Sequence, residues 1–315
     1  MARAHTPQRH TPQRHTPQRH TPQGNGPQRN GPQGEATRGT TAPNRLRRVD
    51  RWIAATQGGS LRAGPVPLAV DLGYGASPVT TVEFYRRLRA VAPRLEVTGI
   101  EIDPDRVAAG RAVVAGGAYE GLSFRHGGFE LPVDRPPDLV RAFNVLRQYE
   151  EPAAWRAWDD LCARLAPGGV LIEGTCDEIG RRAVWVGLGG DGAGSARPRT
   201  ITFAAHLATL ERPSDLAERL PKTLIHRNVP GERVHALLTD FDRCWATAAP
   251  YSAFGPRARW IEAVSLLARS HPVYARPPYG GRGRWRLGEV TLPWSAVAPE
   301  DPPGRSRRLR PDRTR

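Results

Sequence analysis

The first candidate for chemistry is a loop with two glycines, Asp71-Leu72-Gly73-Tyr74-Gly75, which directly follows a short apolar run. Glycine has no Cβ atom, so both glycines allow a ligand to approach the main chain closely. A dinucleotide-binding loop has a third glycine where this chain has Pro78, and it binds a pyrophosphate that the carboxylate of Asp71 would repel. An acid beside the loop suits instead the cationic amine and sulfonium of S-adenosylmethionine.

A second candidate is Glu101, in the sequence Thr98-Gly99-Ile100-Glu101-Ile102-Asp103. It stands at the end of the next predicted strand, where a carboxylate can accept hydrogen bonds from both hydroxyls of a ribose. A NAD-dependent enzyme could use the same acid, so Glu101 alone does not choose between the two cofactors. The loop and Glu101, followed by the turn Leu165-Ala166-Pro167-Gly168-Gly169-Val170-Leu171, favour S-adenosylmethionine when they are taken together.

Strands that alternate with helices must position these residues. Short apolar runs predict strands, and apolar residues at helical spacing predict helices between them. The predicted order is a helix capped by Asn44, strand 66–72, helix 79–91, strand 95–102, helix 105–114, strand 122–125, strand 139–145, helix 153–165 and strand 170–174. This alternation predicts an α/β fold with a doubly wound, mainly parallel, Rossmann-like sheet.

The pattern changes in the last third of the chain. Residues 183–188 and 200–206 are strand-like and flank a glycine-rich turn, which predicts an antiparallel hairpin at an edge of the sheet. Helices are expected over 213–220, 232–248 and 257–270, and a late strand over 285–294. We therefore expect a disordered basic arm over 1–43, a cofactor-binding core over 44–180, sheet completion with a helical and mixed substrate cap over 181–300, and a disordered basic tail over 301–315.

Residues 49–178 resemble the class I S-adenosylmethionine-dependent methyltransferase family. The loop after the first strand, the acid after the second and the turn before the fifth carry this resemblance. It implies that Asp71, Gly73 and Gly75 contact the methionine and ribose moieties of S-adenosylmethionine, and that Glu101 binds the ribose diol.

The chain departs from this family at two places. The family's loop often continues to a third glycine, where this chain has Ser77. The family also often has an acid after the third strand that holds the adenine amino group, but the sequence His126-Gly127-Gly128-Phe129 contains none. We predict instead that Gly128 and Phe129 line the adenine pocket, with the adenine resting on the phenyl ring and bonded to the main chain.

Residues near the ends of the fourth and fifth strands are candidates for contact with the methyl acceptor. Asn144 is the first candidate for a catalytic role, because the family often places residues that face the sulfonium there. Glu173, Cys176, Asp177 and Glu178 are weaker candidates, any one of the acids as a general base, since acids at strand ends are often paired or solvated.

The C-terminal third adds two more candidates. His226 is a candidate catalytic base, and Arg227 could hold an acidic substrate, although a loop and helix cap would contain the same residues. The sequence Asn144-Val145-Leu146-Arg147 stands where Asn-Pro-Pro-Tyr would be expected for amino methylation of adenine or glutamine, so that reaction is disfavoured.

Positive charge is concentrated at the two ends of the chain. The formal net charge is +15, of which residues 1–48 carry +8 and residues 301–315 carry +4, leaving +3 for the body. A near-neutral body favours a small-molecule acceptor, whereas the Arg-rich ends could bind nucleic acid. The pentad His-Thr-Pro-Gln-Arg repeats from His5 to Arg19 and decays towards Gly34, which predicts a disordered arm.

Several classes of protein are disfavoured by what the sequence contains. Cys162, Cys176 and Cys244 stand far apart, so neither a metal site nor a disulfide framework is predicted. No signal peptide or membrane span is predicted, and we expect a cytoplasmic protein. The leading hypothesis is an active methyltransferase with an unidentified acceptor. The alternatives are a catalytically idle methyltransferase-fold binding module, an RNA methyltransferase tethered by its basic ends, and a NAD(P) oxidoreductase.

Overall fold

The computed structural model describes residues 32–35, 41–190, 192 and 195–302. Most of the predicted disordered arm and tail therefore lies outside the described residues. The strands are β1 Leu68–Leu72, β2 Glu96–Glu101, β3 Leu122–His126, β4 Leu139–Phe143, β5 Val170–Cys176, β6 Arg182–Gly190, β7 Ala196–Ala205 and β8 Glu289–Pro293. The α-helices are α1 Arg47–Ala63, α2 Val79–Arg89, α3 Pro104–Val114, α4 Glu151–Cys162, α5 Lys222–Ile225, α6 Arg233–Thr247, α7 Pro256–Leu267 and α8 Arg282–Trp285.

One sheet contains all of these strands, in the order β3-β2-β1-β4-β5-β6-β7-β8. The strands from β3 to β5 pair in parallel, and β6, β7 and β8 are added antiparallel. The predicted doubly wound, mainly parallel α/β fold is thereby confirmed. The strand order reverses between β1 and β4, and ligands of such sheets bind at the carboxyl ends of the strands beside this reversal.

The predicted antiparallel hairpin at this edge of the sheet is confirmed, and a further strand extends it. Strands β6 and β7 pair with each other, and β8 then pairs with β7, so β8 is the outer strand. The hydroxyls of Thr202 on β7 and Thr291 on β8 are buried and lie 2.9 Å apart. A pairing between segments this distant in sequence has no local signal, because period-two alternation predicts a strand but not its neighbour.

Two hydrophobic cores cover the two faces of the sheet. Along β1, Val70 and Leu72 belong to the core that contains residues of α4, α6 and α7. Ala69, which points the other way, belongs to the core that contains residues of α1 and α2. Since alternate residues of a strand face opposite sides, this division explains why β1 is buried along its whole length.

The predicted boundaries shift in the C-terminal third. The segment expected to be a helix at 213–220 is a 3-10 helix over Pro213–Arg219. The late strand is shorter than expected, because α8 ends at Trp285 and a turn follows over residues 286–288. No helix within the described ranges is long and apolar enough to cross a membrane.

Candidate functional site

The loop between β1 and α2 lies at the carboxyl end of β1, beside the strand reversal. Gly73 and Gly75 both have positive φ angles, 66° and 84°, which glycine adopts without strain. A Cβ atom on Gly73 would lie only 2.8 Å from Cγ2 of Val145. The two glycines are therefore required by the backbone conformation and by the close approach of the chain that follows β4.

Glu101 joins this loop to the end of β2. Its side chain is 1% exposed, and Oε2 accepts a hydrogen bond of 2.8 Å from the N–H of Gly75. Oε1 accepts from the N–H of Ile102 at 3.0 Å. Each carboxylate oxygen can accept more than one hydrogen bond, so Glu101 can accept further hydrogen bonds from a ligand.

Asp71 is bonded by a buried arginine, and it is also among the residues that line a cavity at this edge of the sheet. Arg141, the register partner of Asp71 on β4, donates from Nε and Nη2 to the two carboxylate oxygens of Asp71 at 2.9 and 2.6 Å. The hydroxyl of Thr81 donates to Asp71 Oδ2 at 2.7 Å, and Arg141 Nη1 also donates to Asp50 on α1. The negative charge of Asp71 is thus compensated inside the protein, and the expected pairing with a cofactor amine stays a prediction.

Arg141 is fully buried at the centre of this network. Its guanidinium carbon lies 4.1 Å from the ring centre of Phe84, and Asp50 is also bonded by Arg87 at 2.7 Å. Burial disfavours the charge on Arg141, but Asp71 and Asp50 outweigh this effect and raise its pKa. The network therefore holds β1, β4 and α1 together beneath the candidate site.

A cavity of about 690 Å³ opens at the carboxyl ends of β1, β4 and β5. Main-chain and side-chain atoms of the first loop line one side of it, and residues that follow β4 and β5 line the other. Asn144 lines the cavity directly after β4. Its Oδ1 accepts from the N–H of Cys176 at 3.0 Å and its Nδ2 donates to the sulfur of Cys176 at 3.4 Å.

The orientation of Asn144 is fixed by these two contacts and by a left-handed backbone, with φ of 60°. Asparagine tolerates this conformation better than most residues, so the cost is small. One N–H of the amide remains available to a ligand. Burial raises the pKa of Cys176, which therefore stays a thiol near neutral pH.

The acids near the end of β5 have different environments. Glu178 lines the cavity. Asp177 instead closes the turn before β6, where its carboxylate accepts from the N–H groups of Ile179, Arg181 and Arg182. Glu173 points into the core, 1% exposed, and accepts from the indole of Trp158 at 3.2 Å.

Arg147 and Arg219 both line the cavity. Partial burial and the neighbouring Arg219 lower the pKa of Arg147, and Glu178 opposes this shift. Arg219 ends the 3-10 helix Pro213–Arg219, and its Nε atom is buried without a hydrogen-bond acceptor among the described residues. Sequence reasoning missed both residues, because nothing local brings residue 219 to the end of β4.

Gly128 and Phe129, which are predicted to line an adenine pocket, lie against a segment of the chain itself. Gly128 and Phe129 line a small space together with Glu101, Gly73 and the segment 32–35. The N–H of Phe129 donates to the carbonyl of Gln33 at 2.8 Å. Only about 20 Å³ remains open there, far less than a purine requires.

Glu130, just beyond residues 126–129, bonds back to the loop after β3. Its Oε1 accepts from the N–H of Gly128 at 2.7 Å, and its Oε2 accepts from the N–H of Gln33 at 2.8 Å. The carboxylate turns back over the loop, so it acts near Gly128 although it stands two positions later. In the sequence, Glu130 directly follows His126-Gly127-Gly128-Phe129, so an acid near this loop could have been noticed there.

The two candidates of the C-terminal third do not reach the cavity. His226 is exposed at the end of α5 and is not among the residues that line the cavity. Arg227 is paired with Glu151 at 3.0 Å and Glu232 at 3.3 Å, which makes it a structural link between α4 and the loop before α6. The structure therefore brings Gly73, Gly75, Glu101 and Asn144 together, without His226.

Comparisons with known proteins find distant likeness only. No family model and no curated protein matches the chain. Among solved structures, the StiE O-MT is 18% identical with a TM-score of 0.32, over 41% of each chain. The N-methyltransferase NodS from Bradyrhizobium japonicum is 24% identical with a TM-score of 0.30, over 42% of this chain and 62% of that one.

A third structure, the dimethyltransferase RosA from Streptomyces davawensis, is 14% identical with a TM-score of 0.32, over 41% of this chain and 36% of its own. The chain spans less than two thirds of the length of each of these proteins. All three are methyltransferases by their descriptions. Likeness this distant assigns neither a family nor a substrate.

Proposed function

We propose that this protein transfers a methyl group from S-adenosylmethionine to a small-molecule acceptor. One observation carries the proposal: the glycine loop after β1 and Asn144 after β4 line one cavity at the carboxyl edge of the sheet, and Glu101 after β2 bonds Gly75 of that loop and lines a smaller space beside it. A crevice at this edge, beside the strand reversal, is where α/β sheets bind nucleoside-containing cofactors.

The residues present fit the cofactor in three parts. The loop of Gly73 and Gly75 offers its main chain to the methionine and ribose moieties, and Glu101 retains acceptor capacity for the ribose hydroxyls. Phe129 and Glu130 offer an N–H donor and a carboxylate acceptor for adenine. Since the segment 32–35 holds these last two groups, it has to leave before the adenine can bind.

The bound cofactor would supply an electrophilic methyl group on a sulfonium. The remaining work of this chain is to align the acceptor with that methyl group and to exclude water. Asn144, whose amide is held by Cys176, is placed to orient the acceptor through its remaining N–H. The proposal contains no dedicated base, because an acceptor that reacts through a free lone pair needs none.

Glu101→Gln is expected to weaken binding of S-adenosylhomocysteine by about tenfold or more, because hydrogen bonds to a charged acceptor contribute about 1.5–3 kcal/mol. The measurement is isothermal titration calorimetry, with NADH titrated in parallel. Glu96→Gln is the matched control, because Glu96 begins the same strand at its opposite end and is paired with Arg135. Binding of NADH instead of S-adenosylhomocysteine would contradict the proposal.

We also propose that the acceptor carries an anionic group. Arg147 and Arg219 face the same cavity, and the buried Nε of Arg219 has no acceptor within the described part of the chain. A carboxylate or phosphate ester on the ligand would satisfy that atom and relieve the repulsion between the two guanidinium groups. Glu178 in the cavity and Glu218, which pairs with Arg219 Nη2 at 3.5 Å, offset part of this charge, but neither bonds the Nε atom of Arg219.

This class of acceptor is tested by comparing carboxylic acids with the corresponding primary amides as substrates, with release of S-adenosylhomocysteine as the readout. We expect acids to be methylated with a kcat/KM about tenfold above that of their amides, and Arg219→Gln to remove most of the difference. The control is Arg243→Gln, since Arg243 is exposed and paired with Asp240 outside the cavity. Equal rates for acids and amides would argue against an anionic acceptor.

A further inference from the structure

We propose that the segment Pro32–Glu35 is a built-in competitor for the adenine of the cofactor. This inference rests on the proposed function, because it concerns the occupancy of the same site. The segment is bound at the ends of β2 and β3 by groups that a purine would use. The segment and the adenine therefore cannot occupy this place at the same time.

The contacts of Gln33 reproduce one edge of adenine. Adenine presents an amino donor beside a ring-nitrogen acceptor on the edge that pairs with other bases. Gln33 presents its main-chain N–H to Glu130 Oε2 and its main-chain carbonyl to the N–H of Phe129, both at 2.8 Å. The protein groups are therefore one acceptor and one donor, side by side, in the arrangement that reads adenine.

Gly128 shows that this contact with the segment is close. A Cβ atom at position 128 would lie 1.8 Å from the carbonyl oxygen of Gln33, which no side chain could tolerate. The family that residues 49–178 resemble often carries an acid after β3. Here the acid is displaced to Glu130 and glycine leaves room for the main chain of Gln33.

The other end of the segment is also fastened. The N–H of Glu35 donates to the hydroxyl of Tyr149 at 2.6 Å, and Gln148 donates from Nε2 to the carbonyl of Glu35 at 2.8 Å. The four contacts leave about 20 Å³ between the segment, Glu101 and Phe129. Adenine can enter only if these contacts break.

Pro32-Gln33 is also the last Pro-Gln pair of the repeat that begins the chain, in which proline recurs at every fifth position from Pro7. Gln33 makes these two hydrogen bonds with main-chain atoms only, so they do not depend on its side chain. Because the cofactor binds only the open form, its apparent dissociation constant rises in inverse proportion to the open fraction.

The test compares full-length Gln33→Pro with the wild type and with Gln23→Pro, which lies in an identical Pro-Gln-Gly sequence. Proline has no N–H, so Gln33→Pro removes the donor to Glu130. We expect S-adenosylhomocysteine to bind Gln33→Pro about tenfold more tightly than the wild type by calorimetry, the effect of one hydrogen bond to a charged group. Gln23→Pro should match the wild type.

Amide hydrogen exchange of the wild type gives a second, independent measurement. Saturating S-adenosylhomocysteine should speed exchange at Glu35, which loses Tyr149, while Phe129 stays protected by the adenine. Slower exchange at Glu35 would show a lid that closes over the cofactor and would overturn the proposal. Unchanged or weaker binding by Gln33→Pro would overturn it while leaving the proposed function intact. Absence of binding by every form would overturn both.

Discussion

Arg141→Met is expected to lower the free energy of unfolding by about 3–5 kcal/mol, the cost of removing one partner from a buried ion pair. Methionine preserves most of the apolar stem, but it leaves the carboxylates of Asp50 and Asp71 buried without the guanidinium that bonds both of them. Chemical denaturation followed by circular dichroism measures the loss.

Arg125→Met is the matched control. Arg125 pairs with Asp134 at 2.5 Å, but the Asp134 side chain is 82% exposed, so water replaces the lost contact. We expect no significant change in unfolding for this variant. If both variants lost the same stability, the buried network would not be the reason for the effect of Arg141→Met.

Glu173→Gln is expected to make the protein more stable than the wild type at alkaline pH but not at acidic pH. Burial raises the pKa of Glu173 to about 8, from 4.5 in the unfolded chain, although Trp158 donates a hydrogen bond to it. Between these values the folded protein holds a proton that the unfolded chain releases. The wild type therefore loses stability as pH rises, by up to about 1.4 kcal/mol per pH unit.

The glutamine variant has no such proton, so its advantage should grow from pH 4.5 to pH 8, reach the order of 3–5 kcal/mol, and then level off. Denaturation at a series of pH values measures the difference between the two proteins. Glu120→Gln, at an exposed position before β3, should show no such trend. A difference that is constant with pH would mean that Glu173 is ionised in the folded protein.

The parallel half of the sheet was predictable because the sequence patterns that specify its strands and helices lie within each segment. Apolar runs that alternate with helical spacing predicted β1 to β5, and the glycine loop and Glu101 were found from their places at strand ends. The pairing of Arg141 with Asp71 was also within reach. An arginine inside the apolar strand Leu139–Phe143 requires a buried acid, and Asp71 stands at the corresponding position of the neighbouring strand.

Other features depend on contacts between distant parts of the chain. The segment 32–35 meets Glu130 across 97 residues, and Arg219 reaches the cavity only after the hairpin and a 3-10 helix have been placed. His226 was chosen for its residue type, since histidine titrates near neutral pH, and residue type does not fix direction or exposure. The sequence therefore predicts the loop after β1 and the acid after β2 better than it predicts the residues that reach the cavity from the C-terminal third.

The place of β8 also affects how the protein is made. Until Glu289–Pro293 leaves the ribosome, β7 presents a row of unpaired N–H and C=O groups over Thr200–Ala204, the residues that later pair with β8. An open strand of this kind is a template for pairing with other chains. Chains that end before residue 289 keep that edge permanently, so premature termination yields a species prone to aggregate.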